Sequence, residues 1–303
     1  MKHWLSLVNV PEVEQYLEIA KFAEEVGYDG ITLADHLIMP LDTECTYPYT
    51  PDGKMWWPVD TPWPDPWISL AAMAAVTTRL EFATNIYLAA LRDPFTAAKA
   101  VGTAAVISGG RMTCGVSAGW IKEEYELLGL DFGARGRRLD EMIVLMKKLW
   151  AGQPVDHDGE FFHVHDAIMA PVPDTPIRIW VGGGSKAALR RASENDGWLG
   201  VPQIKPQLLE TAEGLEERRR KLGKADEPFD VCFSLIGKLD RELRAELDEK
   251  RISNNMTLPW MITPWGRTPW LKDEEDPADL DVKKRVMERF ARSVEMSPGS
   301  SSW

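Results

Sequence analysis

The stretch Arg178-Ile-Trp-Val-Gly-Gly-Gly-Ser-Lys-Ala-Ala-Leu-Arg-Arg-Ala-Ser-Glu-Asn-Asp-Gly-Trp198 decides how the chain is read. Ile177 to Val181 is apolar, β-branched and aromatic, and too short for a helix, so it predicts a buried strand. Gly182, Gly183 and Gly184 stop it. Ser185 then offers an N-cap hydroxyl, and Ala188, Leu189 and Ala192 are spaced for one face of a helix. Successive unpaired amides at a helix N-terminus, with no Cβ on the glycines before it, form a natural site for a phosphate. From these residues alone, a tight strand-to-helix turn that binds nothing reads equally well.

The same strand-then-helix grammar extends both ways. Trp4 to Val8 reads as a first strand, followed by a helical stripe of Val13, Leu17, Ala20 and Ala23 that ends near Gly27. Strands are expected at Gly30 to Leu33, Leu80 to Ile86, Arg111 to Val116, Trp198 to Val201 and Val231 to Ile236. Met256 to Ile262 is the expected eighth, against the presence of Pro259. Helices are expected at Pro66 to Ala75, Pro94 to Ile107, Glu123 to Gly129, Leu139 to Leu149, Pro206 to Leu222, Leu239 to Arg251 and Val282 to Val294. Gln153 to His165, around Asp158-Gly159, predicts a small inserted hairpin. Such alternation implies a parallel sheet, and eight units close most economically into a (β/α)8 TIM barrel. The rival, a doubly wound open sheet, would carry a glycine fingerprint after its first strand, and none is present.

The 303 residues, 44% hydrophobic, are expected to form one domain over 1–296 with a flexible tail, 297–303. Residues 37–65, dense in Pro, Tyr and Trp, read as an ordered cover over the barrel rim, and 263–280 as a Trp- and Pro-bearing insertion. No apolar run approaches the roughly 18 residues of a membrane span. The net charge of -12 disfavours nucleic acid and anionic membranes as partners. Cys45, Cys114 and Cys232 have no paired spacing and read as reduced thiols of a cytoplasmic protein. A small-molecule substrate and a homodimer are the expected partners.

In a barrel, the loops after the strands share one rim, and that rim holds the chemistry. Asp35-His36, Asn85, Ser117 to Trp120, Gly182 to Ser185 and the aromatic loop all fall there. The ordered landmarks Gly27-Tyr-Asp-Gly-Ile-Thr-Leu-Ala-Asp-His36, Leu91-Arg-Asp-Pro94, Ser108-Gly-Gly-Arg111, Gly115-Val-Ser-Ala-Gly-Trp120 with Glu124-Tyr125, Val181-Gly-Gly-Gly-Ser185 and Asp196-Gly-Trp198 resemble the bacterial-luciferase-like superfamily of flavin- and deazaflavin-dependent enzymes. They cover residues 4 to 200; the region after Leu239 matches poorly. Tyr47-Pro-Tyr-Thr-Pro-Asp-Gly53, Asp60-Thr-Pro-Trp63 and Asp65-Pro66 resemble an actinobacterial branch assigned to coenzyme F420.

That resemblance implies hydride transfer between coenzyme F420 and an organic substrate, with His36 beside the redox-active ring. It implies a non-proline cis peptide at Asn85-Ile86 behind the ring, Ser117, Ala118 and Gly119 along the cofactor, and Gly182, Gly183, Gly184 and Ser185 around its phosphate. In sugar-phosphate dehydrogenase relatives a glutamate stands where Trp120 is here, so an apolar or aromatic substrate is expected, walled by Trp56, Trp57, Trp63 and Trp120. FMN is the alternative cofactor, with an oxygen-dependent monooxygenase as the corresponding activity. A noncatalytic flavin- or deazaflavin-binding protein is the alternative from another class.

Individual residues carry competing readings. His36, with Asp35, is the catalytic candidate because imidazole titrates near neutrality; a structural histidine hydrogen-bonded to Asp35 is the plain alternative. A Ser-His-Asp nucleophilic triad is not expected. His157, His163 and His165 lack partner ligands for a metal, and no metal site is expected. Glu123 and Glu124 read as acids favouring a helix N-terminus, and Arg135, Arg138, Asp140 and Glu141 as locally paired.

Overall fold

The computed structural model describes residues 1–50, 52–252, 254–263 and 266–296. Eight parallel strands close into a barrel: β1 (Lys2–Ser6), β2 (Gly30–Leu33), β3 (Glu81–Thr84), β4 (Met112–Val116), β7 (Arg178–Gly182), β8 (Gly197–Gln203), β9 (Asp230–Leu235) and β10 (Asn254–Thr257). Strands β5 (Val155–Asp158) and β6 (His163–Ala167) pair separately as the antiparallel insertion expected between units. The open-sheet rival is thereby excluded, since β10 returns to pair with β1.

Local chemistry accounts for the helices around it. Helices α2 (Pro66–Ala75) and α3 (Pro94–Ile107) begin alike: Asp65 and Asp93 accept from the amides of the first turn, and proline fills N1. Helix α1 (Tyr16–Val26) ends on Gly27, whose φ of 97° is the left-handed conformation glycine favours. Helix α5 (Arg135–Trp150) starts four residues before the expected Leu139, because its polar first turn has no apolar period to reveal it. Helices α4 (Lys122–Leu127), α6 (Lys186–Glu194), α7 (Lys205–Lys221), α8 (Arg241–Glu249) and α9 (Leu280–Ser293) complete the ring.

The eighth strand is corrected. It spans Asn254–Thr257, not Met256 to Ile262, and ends before Pro259, which lacks the amide a further ladder step needs. Ile262–Thr263 and Gly266–Arg267 form a two-stranded ribbon within the insertion instead. Pro264 and Trp265 of that insertion, and the tail 297–303, lie outside the described residues.

The barrel lumen is filled by Trp4, Ala83, Trp180, Leu199, Cys232 and Met256. Trp4 and Trp180 meet edge to face, with ring centroids 5.2 Å apart. Room for the two indoles comes from Gly30 and Gly197, where a β-carbon would stand 2.4 Å from a Trp4 or Trp180 ring atom. The plugged lumen leaves the rim as the place where a ligand can bind. No helix among the described residues is long and apolar enough to cross a membrane.

Candidate active site

His36 follows β2 directly. Its ring lies 5.0 Å from Trp63 and 6.4 Å from Trp120, both in edge-to-face geometry. Tyr47 bridges Trp120 at 5.2 Å and Trp57 at 4.9 Å, and Trp57 in turn meets Trp56 and Trp63. Trp63 and Trp120 therefore stand against His36, and Trp57 and Trp56 join them one and two rings further out. The indole N–H groups of Trp57 and Trp63 are buried with no acceptor among the described residues, in a molecule where such donors are normally paired.

Glu124 is the partner of His36. Its carboxylate is 1% exposed, with Oε2 3.3 Å from His36 Nδ1, while Oε1 accepts the amides of Leu37 at 2.8 Å and Ile38 at 3.4 Å. Asp35, the partner expected from adjacency, is turned elsewhere. Its two oxygens take both ends of the Arg92 guanidinium at 2.7 and 2.8 Å, and the Leu88 amide at 3.0 Å. Burial pushes the Asp35 carboxyl upward, against the pull of Arg92. Arg92 also lies 4.4 Å over the Tyr87 ring, so the pair fastens β2 to the segment after β3.

Glu123 and Glu124 do more than favour the N-terminus of α4. Glu123 accepts from the Glu44 amide at 2.8 Å, the Thr43 hydroxyl at 3.0 Å and the Cys45 thiol at 3.2 Å, which ties the aromatic loop down. Against the upward push of burial, these donors hold Glu123 at about 2. Local pairing is likewise corrected for three of the residues on α5: Arg138 donates to the carbonyls of Ala90 and Arg92, and the two acids reach other elements as well. Asp140 binds Arg190 and Arg191 on α6, and Glu141 takes His157 and the amides of Phe161 and Phe162 in the inserted hairpin. His163 and His165 pair with Asp158 and Asp156 on that hairpin.

The Asn85-Ile86 peptide is cis. Asn85 donates to Met256 Sδ at the lumen's upper end, and Ile86 packs so closely on Gly182 that a β-carbon there would stand 1.9 Å from Ile86 Cδ1. Ser117 Oγ accepts the Gly119 amide, and the Ala118 carbonyl accepts the Tyr125 hydroxyl at 2.7 Å. These contacts join β3, β4 and β7 along one side of the rim.

At the glycine turn, Gly183 has φ of 108°, and its carbonyl accepts Trp198 Nε1 at 2.9 Å. Ser185 Oγ accepts the Ala188 amide as N-cap of α6. The amides of Gly184, Ser185, Lys186 and Ala187 find no acceptor in the described residues, and Gly184 is open on the side where a β-carbon would stand. An anion of phosphate size fits this cradle. Tyr49, 5.4 Å from Tyr47, reaches within 3.8 Å of the position a Gly183 β-carbon would take. A run of contacts thus leads from His36 through Trp120, Tyr47 and Tyr49 to the cradle.

Glu124, Arg92, Trp198 and Tyr47 were not singled out as site residues by sequence. The signal existed for Tyr47 in Tyr47-Pro-Tyr-Thr-Pro-Asp-Gly53, and for the other three in Glu124-Tyr125, Leu91-Arg-Asp-Pro94 and Asp196-Gly-Trp198. Their partners lie at sequence separations of 88, 57 and 15 residues, which no local pattern reports.

The structure is thus a closed parallel barrel whose turn after β7 presents unpaired amides and whose His36, after β2, stands against two indoles on the same C-terminal rim. The chain belongs to the luciferase-like monooxygenase family, whose sequence model matches residues 3–256. It is 32% identical over 282 residues to an uncharacterized protein of Mycobacterium tuberculosis, covering 92% of this chain and 94% of that one. It is 30% identical over 236 residues to an F420-dependent glucose-6-phosphate dehydrogenase of Gordonia bronchialis, covering 73% and 64%. The monooxygenase RslO1 of Streptomyces bottropensis shares the fold, with a TM-score of 0.72 at 17% identity over 97% of this chain and 99% of that one.

Proposed function

We propose that the protein is an oxidoreductase that transfers a hydride between coenzyme F420 and an apolar or aromatic organic substrate. The observation that carries this reading is the joining of a phosphate cradle to a caged, carboxylate-tethered imidazole on one rim. When bound, the deazaflavin would supply or accept the hydride, and the chain's work is positioning and exclusion of water. Gly183, Gly184 and Ser185 would hold the phosphate, with Trp198 fixing the Gly183 peptide beneath it. Asn85, Ile86, Ser117, Ala118 and Gly119 would border the ring.

His36 holds or moves a proton through Nε2, since Nδ1 is turned toward Glu124. Asp35, committed to Arg92 and Leu88, positions the rim rather than reacting. Trp56, Trp57, Trp63 and Trp120 offer apolar walls and no acid or base, which favours an apolar or aromatic substrate over a sugar phosphate. The unpaired Trp57 and Trp63 N–H groups suit a substrate that carries an acceptor oxygen. The three free thiols fit a reducing compartment, the cytoplasm. Helices α2 and α3 expose Ile68, Phe95, Val106 and Ile107, a surface suited to a homodimer that light scattering would register as a doubled mass.

Side-by-side titration with coenzyme F420 and FMN tests the cofactor. Preferential binding of the deazaflavin supports the reading, and preference for FMN with oxygen consumption on turnover moves the protein to the flavin monooxygenases. His36→Ala is expected to lower turnover by about a hundredfold or more while cofactor affinity persists. Unchanged turnover would remove His36 from the reaction, and tight binding without turnover across a broad panel would make the protein a cofactor carrier.

A further inference from the structure

The first part of the aromatic loop is built as a strap. From Asp42 to Tyr49 exposure alternates residue by residue: Asp42, Glu44, Thr46 and Pro48 are exposed, while Thr43, Cys45, Tyr47 and Tyr49 are half-buried. A period of two marks an extended segment with one side turned down. The downward residues meet three parts of the rim in turn. Thr43 and Cys45 bind Glu123 on α4, Tyr47 packs on Trp120 after β4, and Tyr49 borders Gly183 after β7. Three successive residues of α4 clasp the near end: the Lys122 amide donates to Cys45 Sγ at 3.1 Å, Glu123 gathers Thr43, Glu44 and Cys45, and Glu124 holds His36, Leu37 and Ile38. Under this cover the His36 side chain is 9% exposed. Among the described residues, the strap's backbone bonds to other backbone only at Tyr47, whose amide donates to the Gly53 carbonyl of the same loop.

We propose that the strap is a gate for exchange of the cofactor, and that Glu123 is the positioning residue that sets how fast it opens. A tricyclic ring cannot come against an imidazole so enclosed while the strap lies down, so entry and departure both require it to lift. Lifting breaks no sheet ladder. It costs side-chain bonds to α4 and aromatic contacts, and segments held in that way open locally at low free energy. Such lid motions commonly limit ligand exchange. The inference rests on the cofactor reading above, which puts the ring beside Asn85 and Ser117 and the phosphate at Gly183, because the strap runs from one of these places to the other. Since Glu123 and Glu124 are neighbours on one helical turn, closing the strap and fixing His36 are a single event.

The test is stopped-flow fluorescence on the full chain with coenzyme F420 and FMN as probes, comparing the native protein with Glu123→Gln and with Thr43→Val, which loosens the clasp from the strap's side. Thermal unfolding confirms that both variants fold. With whichever cofactor binds, association and dissociation rates should each rise about tenfold in the variants while Kd stays within about twofold, because a loosened clasp eases opening in the free and the bound protein alike. Labelling by the thiol reagent 5,5′-dithiobis(2-nitrobenzoic acid) reads opening directly, since Cys114 and Cys232 are fully buried and Cys45 lies under the strap. It should quicken in both variants and slow when cofactor saturates the protein. Unchanged exchange rates would overturn the gate while the cofactor reading stands. So would a rise in dissociation alone with weakened affinity, which would make the strap part of the binding surface. Binding of neither cofactor would overturn the cofactor reading and the gate with it.

Discussion

At the residue scale, the site depends on two carboxylates with different duties. Asp35 is 4% exposed and committed to Arg92, so its charge is tolerable only while that guanidinium is present. Arg92→Met should destabilise the fold by about 3–5 kcal/mol in chemical denaturation, and adding Asp35→Asn should recover much of the loss because no unpaired charge then remains. Glu124 answers for His36. Glu124→Gln keeps the shape but replaces a charged partner with an amide, and turnover should drop about tenfold or more with cofactor affinity retained. Steady-state rates paired with cofactor titration separate that outcome from a general loss of folding. Adjacency in sequence pointed to Asp35 as the partner of His36. Successive residues leaving a strand point in opposite directions, so adjacency was a poor guide to contact.

At the scale of elements, the aromatic loop is a cover held by α4. Glu123 gathers the Thr43 hydroxyl, the Glu44 amide and the Cys45 thiol, and sits at about 2 against an ordinary value of 4.5. A carboxyl depressed in the folded state contributes stability that is complete above its unfolded value and fades as pH falls toward the folded one. The loop should therefore stay anchored at pH 5 and above and loosen between about 4.5 and 2, read as a change in tryptophan fluorescence and in cleavage of the loop by an acid-active protease. Glu123→Gln should bring that loosened signature to neutral pH. The loop's length and aromatic content were legible in the sequence. Its anchors were not, because Glu123 and Thr43 stand 80 residues apart and meet only once the barrel closes.

For the whole molecule, the opposite end of the barrel carries its own pH sensitivity. His3 is 2% exposed, packs 5.8 Å from Phe290 of α9, and is pushed down to about 4 by burial and by Arg244. Above pH 6.5 the imidazole is neutral in both states and contributes no pH dependence. Between 6.5 and 4 the unfolded chain binds a proton that the folded chain refuses, so stability should fall with pH by up to about 1.4 kcal/mol per unit. Denaturation midpoints across that window for the native chain and His3→Gln check this; the variant's dependence should be flatter.

The sequence by itself determined the barrel and the rim positions of its motifs. Strand and helix alternation, Asp-Pro helix starts and glycine stops are local properties set by backbone sterics and capping, and they survive without tertiary context. It also carried the family, because landmarks in a fixed order are readable one at a time. Only the tertiary structure decided that Glu124 serves His36, that Asp35 serves Arg92, and that Trp4 and Trp180 fill the lumen while Trp63 and Trp120 flank the histidine, with Trp57 and Trp56 behind them. An indole has the same composition in either place. Which one it occupies is settled by strand register and barrel closure, and those are relations between residues far apart in the chain.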